Sequence, residues 1–279
     1  MTVATLAEVL APARAEGYAL AGVVVLGWED ALAYVQAAEE TGIPIILQAG
    51  PGCRAHTPVS VLGPMFRHLA EQASVPVVAH IDHGKTVEEC IEAIDYGFTS
   101  LMYDGSALPL DENIENTLAV IEKARSASIS VEGEVGFVGY AEGATSAATA
   151  PEEAQRFAVE TGVDALAVSV GNVHLQTEKT AGIDFAAVAA IEAVCNVPLV
   201  IHGGSGVPVA DRQRLARETS VCKFNIGTEL RMAFGAALRR SIEDHPNAFD
   251  RISLLKPTIE PVRQATAKVL RQLRFPSGL

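Results

Sequence analysis

Three histidines and one aspartate carry the most specific chemical signal in this chain. His83, His174 and His202 each stand at or just beyond the end of a short apolar, β-branched run, and Asp82 directly precedes the first of them. Three imidazoles with a fourth position left open make a donor set for a catalytic Zn2+, because soft nitrogen ligands favour zinc over magnesium. Asp82 would stand beside that metal, its carboxylate placed to exchange a proton with a substrate oxygen or to orient a histidine. His202 also opens the run His202-Gly203-Gly204-Ser205-Gly206, in which an imidazole is followed by nearly bare backbone, with Pro208 able to begin a helix. Free N–H groups in such a turn, with a helix N-terminus behind them, suit an oxyanion. The segment Asn225-Ile226-Gly227-Thr228 would form the other half of an anion clasp, with the Ser205 and Thr228 hydroxyls as further donors. The chemistry indicated is metal-assisted work on a phosphorylated substrate.

Other polar residues gather at the same places. His80 lies two residues before Asp82 and reads as a packing residue or a support behind the metal ligands. Asp104 ends another apolar run. Glu132 and Glu134 share one face of a strand, where one can support a ligand and the other contact a metal or cation, or the pair can be engaged in a buried salt bridge with a basic residue. Glu142 falls in the stretch 136–150, rich in Gly, Ala, Ser and Thr. A loop of that length inside a compact domain reads as a lid, and Glu142 there would either reach over a substrate to abstract a proton or remain a solvated charge. His56, His68 and His245 fall away from the strand ends.

Positioning these groups requires a scaffold that brings many strand ends together. Eight apolar runs, at 19–26, 43–48, 75–80, 99–103, 130–134, 165–170, 197–202 and 222–226, alternate with helical patterns at 29–41, 58–72, 87–96, 110–126, 151–161, 185–194, 208–218 and 229–244. No composition break marks a linker, so residues 1–279 read as one (β/α)8 TIM barrel, with a doubly wound open sheet as the alternative. Additional helices are expected at 2–16 and 258–273. Active sites in such barrels form at the C-terminal strand ends, where His83, Asp104, Glu134, His174, His202 and Asn225 all fall.

The composition narrows the function class. A net charge of −13, without a cluster of Lys or Arg, excludes a nucleic-acid surface. Cys53, Cys90, Cys195 and Cys222 are widely spaced in apolar contexts and form no C-x-x-C pair, which reads as free thiols in a reducing cytoplasm. The N-terminus lacks the basic start and continuous apolar core of a signal peptide, and no stretch approaches the ~20 apolar residues of a membrane span.

The segments PVVAHIDHG at 76–84, SLMYDGSALP at 100–109, VEGEVGFVG at 131–139, DALAVSVGNVH at 164–174, PLVIHGGSG at 198–206 and VCKFNIGTEL at 221–230 occur in order along nearly the whole chain. Together they resemble the class II, zinc-dependent ketose-bisphosphate aldolases, the tagatose- and fructose-bisphosphate group most closely. The resemblance implies a barrel in which His83, His174 and His202 hold zinc, with Glu134 an acidic residue near the metal. It implies that Asp82 serves the C4 oxygen and Glu142 exchanges the proton at C3. The loops 203–206 and 225–228 would clasp the C1 phosphate of dihydroxyacetone phosphate, with a monovalent cation, Na+ or K+, close by. A homodimer or homotetramer is the expected assembly.

The chain departs from that family around the sugar. Val23, Val24 and Gly27 replace a Phe-Asn pair and a second Asn, and Gly50 stands where Ser or Thr is usual. Tyr140 replaces a common glycine, and Leu175 follows His174 where glycine is expected. For the distal phosphate, Lys256 falls in about the place of the basic residue used by related enzymes, with Arg251 nearby. The lead expectation is cleavage of a ketose 1,6-bisphosphate to dihydroxyacetone phosphate and an aldehyde. The alternatives are the same chemistry on a ketose 1-phosphate with a different distal group, a non-catalytic sugar-phosphate-binding paralogue, and a zinc hydrolase. The last is disfavoured because Val23-Val24-Val25 offers no His-x-His pair on the first strand.

Overall fold

A computed structural model of the chain describes residues 2–140, 143 and 145–274. Eight parallel strands pair in chain order: β1 Leu20–Val24, β2 Ile45–Ala49, β3 Val77–Gly84, β4 Ser100–Tyr103, β5 Ser130–Val135, β6 Ala165–Val168, β7 Leu199–Ile201 and β8 Val221–Ile226. β8 returns to β1, with Leu20 opposite Lys223 and Val23 opposite Ile226, so the sheet closes as a barrel and the open-sheet alternative fails. Every residue of β2 and β8 is buried, as expected where helices cover the outside and side-chain layers fill the inside.

The helices are α1 Leu6–Glu16, α2 Trp28–Thr41, α3 Pro51–His56, α4 Val59–Gln72, α5 Val87–Asp95, α6 Leu110–Ser126, α7 Pro151–Thr161, α8 Phe185–Val194, α9 Val209–Glu218, α10 Thr228–Asp244, α11 Arg251–Leu255 and α12 Ile259–Leu273. The expected bounds of α6, α7 and α8 agree with these, because apolar periodicity and start signals coincide there. α1 starts later than expected. Thr2 and Ala4 are engaged by β3 through Val77 N–H to Thr2 O and Ala4 N–H to Val77 O, and the helix begins only after Thr5, which forms a capping box with Glu8. α1 then closes the N-terminal end of the barrel, where the Ala7 N–H donates to Ser130 Oγ. α12 packs along α2 and α10.

Two helices escaped the sequence pattern. α3 buries only Cys53 and α11 buries nothing, so neither has an apolar stripe to betray it. β3 also runs four residues beyond its expected end, because its backbone keeps pairing with β4 after the side chains turn polar. The stretch 136–150 is more ordered at its base than a free lid. Phe137 and Ala147 exchange both backbone hydrogen bonds at 2.8 Å, and Ser146 Oγ accepts from the Gly139 N–H. Glu142 lies outside the described residues.

Helix α7 seats on β5 at Gly133, where an added Cβ would come within 2.5 Å of the buried Phe157 ring. Gly133→Ala should therefore destabilise the protein by about 1–3 kcal/mol through overpacking, read as a lowered midpoint in thermal unfolding; an unchanged midpoint would show that α7 yields freely.

Candidate active site

The barrel mouth gathers the polar strand ends. The imidazole centroids of His83 and His202 lie 4.5 Å apart, those of His83 and His174 5.3 Å, and those of His174 and His202 5.7 Å. One nitrogen from each lies within 4.8 Å of the others, a spacing that could hold a metal ion, and His83, Asp104 and Glu134 form a second, overlapping group of that kind. The rings of His83 and His202 are oriented from behind. His83 Nδ1 bonds Asp104 Oδ2 at 2.6 Å, and Asp104 is itself fixed by the Lys85 ammonium and by the Ser106 hydroxyl and N–H. His202 Nε2 bonds Glu132 Oε1 at 3.2 Å, and Glu132 is anchored by the buried Lys223 ammonium at 2.6 Å. His174 is held through its backbone N–H to Gly139 O, while the Tyr140 ring stacks on its imidazole at 5.1 Å.

Asp82 enters the same space. Its Oδ1 accepts from the side-chain amides of Gln48 at 3.1 Å and Asn225 at 3.0 Å, and its Oδ2 faces Gly50. Gly22 leaves the room for these amides, since a Cβ there would fall 2.7 Å from Gln48 and 3.0 Å from Asn225. His80 is buried inside the barrel with its Nδ1 bonded to Ser100 Oγ at 2.8 Å, behind the mouth rather than in it.

A cleft of about 320 Å3 opens over these groups. Of the anion-clasp residues, Gly203, Ser205, Asn225, Gly227 and Thr228 line it, whereas Gly204, Gly206 and Ile226 do not. Gly206 spends its N–H on Gly203 O in a tight turn, and Ile226 is buried in pairing with β1. Ser205 Oγ is engaged differently from expectation: it accepts from the N–H groups of Gly227 and Glu229, tying the β7 loop to the first turn of α10. The buried Arg212 supports that loop by donating to the Ser205 and Val207 carbonyls. Gly203 requires its lack of a side chain, with φ of 64° and the Val173 carbonyl oxygen 2.2 Å from where a Cβ would stand.

The structure places the expected distal residues away from this cleft. Lys256 is exposed in a turn between α11 and α12, Arg251 is exposed as well, and neither lines the cleft. The cation that does is Arg231, on the second turn of α10, whose Nε is buried without a hydrogen-bond partner. Val24 and Gly50, two of the departures from the family pattern, line the same cleft. Gln48, Lys223, Arg212 and Arg231 were all missed from sequence. A single polar residue inside an otherwise apolar strand is the available signal for Gln48, and a lysine between the apolar Cys222 and Phe224 is the signal for Lys223.

Residues 4–275 match the family model described as fructose-bisphosphate aldolase class-II. The chain belongs to the class II fructose-bisphosphate aldolase family. Among its relatives is a 6-phospho-5-dehydro-2-deoxy-D-gluconate aldolase of Shouchella clausii, 38% identical over 275 residues, spanning 96% of this chain and 93% of the relative. A fructose-bisphosphate aldolase of Staphylococcus epidermidis is 32% identical over 283 residues, spanning 98% and 97%. The crystal structure of the YdjI aldolase from Escherichia coli superposes with a TM-score of 0.83 at 29% identity, covering 97% of each chain. Membership makes the chain an aldolase, a lyase, and implies a divalent metal.

The site fits such an ion. His83 Nε2, His202 Nδ1 and Glu134 Oε2 are buried without hydrogen-bond partners, as free donor atoms would be. Electrostatics at the mouth follow from burial and close charges. Burial opposes a charged His83, but the Asp82 carboxylate, the Asp104 hydrogen bond and Glu134 outweigh it and raise its pKa to about 9. Burial, reinforced by the charge on His83, lowers His174 to about 4 and His202 well below the ordinary value. Burial and then Asp104 raise Glu134 to about 8. Burial favours a neutral Asp82, yet nearby positive charge, that of His83 foremost, holds its pKa below the ordinary value.

These shifts fix a sign. At pH 7 the metal-free protein carries a proton on His83, which an incoming divalent ion must displace, so metal affinity should rise with pH and level off above about 9. Titrating Zn2+ into the metal-free protein at pH 7 with a pH indicator should release about one to two protons per ion, and fewer above pH 9; uptake at pH 7 without proton release would show that His83 and Glu134 carry no proton in the metal-free protein.

Proposed function

We propose that this chain is a zinc-dependent aldolase that reversibly cleaves a phosphorylated ketose to dihydroxyacetone phosphate and an aldehyde, a ketose 1,6-bisphosphate being the lead substrate class. The observation that carries this reading is the convergence of three imidazoles within 4.8 Å beside the Asp82 carboxylate at the mouth of the barrel. His83, His174 and His202 hold the ion in this reading, with Glu134 as an additional or alternate ligand. A divalent ion bound there supplies polarisation of the substrate ketone and charge stabilisation as C3–C4 cleavage proceeds.

The chain's own groups supply the rest. In the cleavage direction Asp82, ionised at neutral pH, takes the proton from the C4 hydroxyl as the C3–C4 bond breaks. Its bonding electrons pass toward the C2 carbonyl, giving the enediolate of dihydroxyacetone phosphate and the free aldehyde. In the reverse direction the same proton returns to the aldehyde oxygen. Glu142 is assigned the exchange of the C3 proton. The amides of Gln48 and Asn225 leave Asp82 one oxygen turned toward the substrate. The backbone of Gly203, Ser205 and Thr228 binds the C1 phosphate.

Arg231 is the only Lys or Arg among the described residues lining the cleft, and it supports an anionic distal group. A single guanidinium suits a carboxylate as well as a phosphate. A relative's name that specifies a phosphorylated gluconate therefore favours keeping a ketose 1-phosphate with a distal carboxylate as a second substrate class. Exposed Met232 and Ile242 on α10, Phe249 in the connection after it and Ile252 on α11 support a homodimer or homotetramer. Four buried free cysteines support a reducing, cytoplasmic setting.

Chelation should abolish cleavage and Zn2+ should restore it; full activity after complete metal removal overturns the reading. Asp82→Ala should retain its metal while turnover falls by about 10²–10⁴-fold. Washing deuterium from solvent into dihydroxyacetone phosphate without any aldehyde tests the Glu142 half of the assignment, because Glu142→Ala should lose that exchange while still binding Zn2+. Arg231→Met should raise KM for substrates with an anionic distal group while leaving the exchange unchanged; an unaltered KM would put the distal group elsewhere.

A further inference from the structure

Neighbouring residues of a regular strand face opposite sides of the sheet, so an unbroken β3 could not present both Asp82 and His83 to the barrel mouth. The strand is broken at that point. Its pairing with β4 slips between Ile81 and Gly84, and His83 adopts φ of 52°, a left-handed conformation costly for a residue with a side chain. Such a bulge re-aims a side chain, and it persists only where the surroundings hold it.

One side chain does most of the holding. Arg54, on α3, keeps its side chain only 5% exposed. Its Nη1 donates to the carbonyls of Ala49 and of Asp82, the latter at 2.7 Å, and its Nη2 donates to the His83 carbonyl at 2.9 Å. Its Nε pairs with Glu89 at 2.7 Å, and the other Glu89 oxygen accepts from the Lys85 N–H at 2.9 Å, two residues past the acid's partner. The carbonyls of both bulge residues are thus fixed by one planar fork from behind the cleft, which Arg54 itself does not line.

We propose that Arg54 is a positioning residue for this aldolase: its guanidinium holds the β3 bulge that brings the acid Asp82 and the metal ligand His83 into the same cleft. The proposal rests on the roles given above to Asp82 and His83. A lysine has the charge but not the fork, so the geometry and not the charge is what Arg54 contributes. A residue that merely pinned α3 would affect stability without altering metal affinity or turnover.

The test uses the full-length protein with Arg54→Met and Arg54→Lys. Zn2+ affinity, measured by competition with a chromophoric chelator, should fall about 10–100-fold in both. kcat should fall about 100-fold while KM changes less than about 3-fold, because the phosphate clasp is untouched. A third variant, Arg54→Ala, should show the same two losses, and added guanidinium ion should recover part of each while methylammonium should not. Amide hydrogen exchange across 80–86 in the metal-free protein should accelerate in every variant. Wild-type Zn2+ affinity in either variant, full recovery by lysine, or unchanged exchange across 80–86 overturns the proposal. Should Arg54→Met not fold, the lysine variant alone decides by the affinity and exchange measurements. A wild-type chain that binds Zn2+ but cleaves no ketose defeats the proposed function and leaves these two measurements valid.

Discussion

Pairing of β1 with β8, four residues long, is the constraint on which the rest depends. A closed parallel sheet has no edge, so the C-terminal end of each strand is fixed relative to the other seven by two ladders of backbone hydrogen bonds. Residues separated by 70 to 143 positions then meet without any flexible search: Asn225 reaches Asp82, Lys223 reaches Glu132, and Glu132 reaches His202. The interior of a barrel is filled with side chains rather than water, so any polar group placed there must find its partner within the same layer.

The charges in that interior are balanced closely. Lys223 and Glu132 are both fully buried and paired, and the pair leaves Glu132 with an oxygen to accept from His202. A buried ion pair adds little to stability on its own account. Its value here is orientation: with Nε2 of His202 bonded to the carboxylate, Nδ1 is the nitrogen left facing the mouth. Asp104 treats His83 in the same way, leaving Nε2. A chain with net charge −13 thus assembles a local excess of nitrogen at one point, with Arg54, Arg212, Lys85 and Arg231 around it.

Much of this was legible in the sequence, and the boundary between what was and what was not has a physical basis. Apolar periodicity reports burial, and burial decides the eight strands and the major helices, so those could be read and with them the convergence of His83, His174 and His202. Periodicity says nothing about a short polar helix such as α3, nor about the bulge that keeps β3 paired through Gly84. It is equally silent on reach: Lys256 is near the expected position in sequence but exposed outside the cleft, while Arg231 comes in from α10. Gly204, Gly206 and Ile226 belong to segments that do bound the cleft, yet backbone geometry turns them away from it. Motif matching identifies a loop, and only the fold says which of its atoms face inward.

The base of the 136–150 segment gains a further meaning from its contact with His174. That residue's backbone N–H is bonded to Gly139 and its ring is covered by Tyr140, so the backbone that carries the segment and an imidazole of the three-histidine group share one set of contacts. Linkage makes any such sharing reciprocal: whatever free energy an occupied ligand position contributes to ordering residues 137–140, an ordered 137–140 returns as tighter ligand binding. In the proposed reading, the backbone at 137–140 and an ion held by His174 are each other's effectors, communicating through a single histidine.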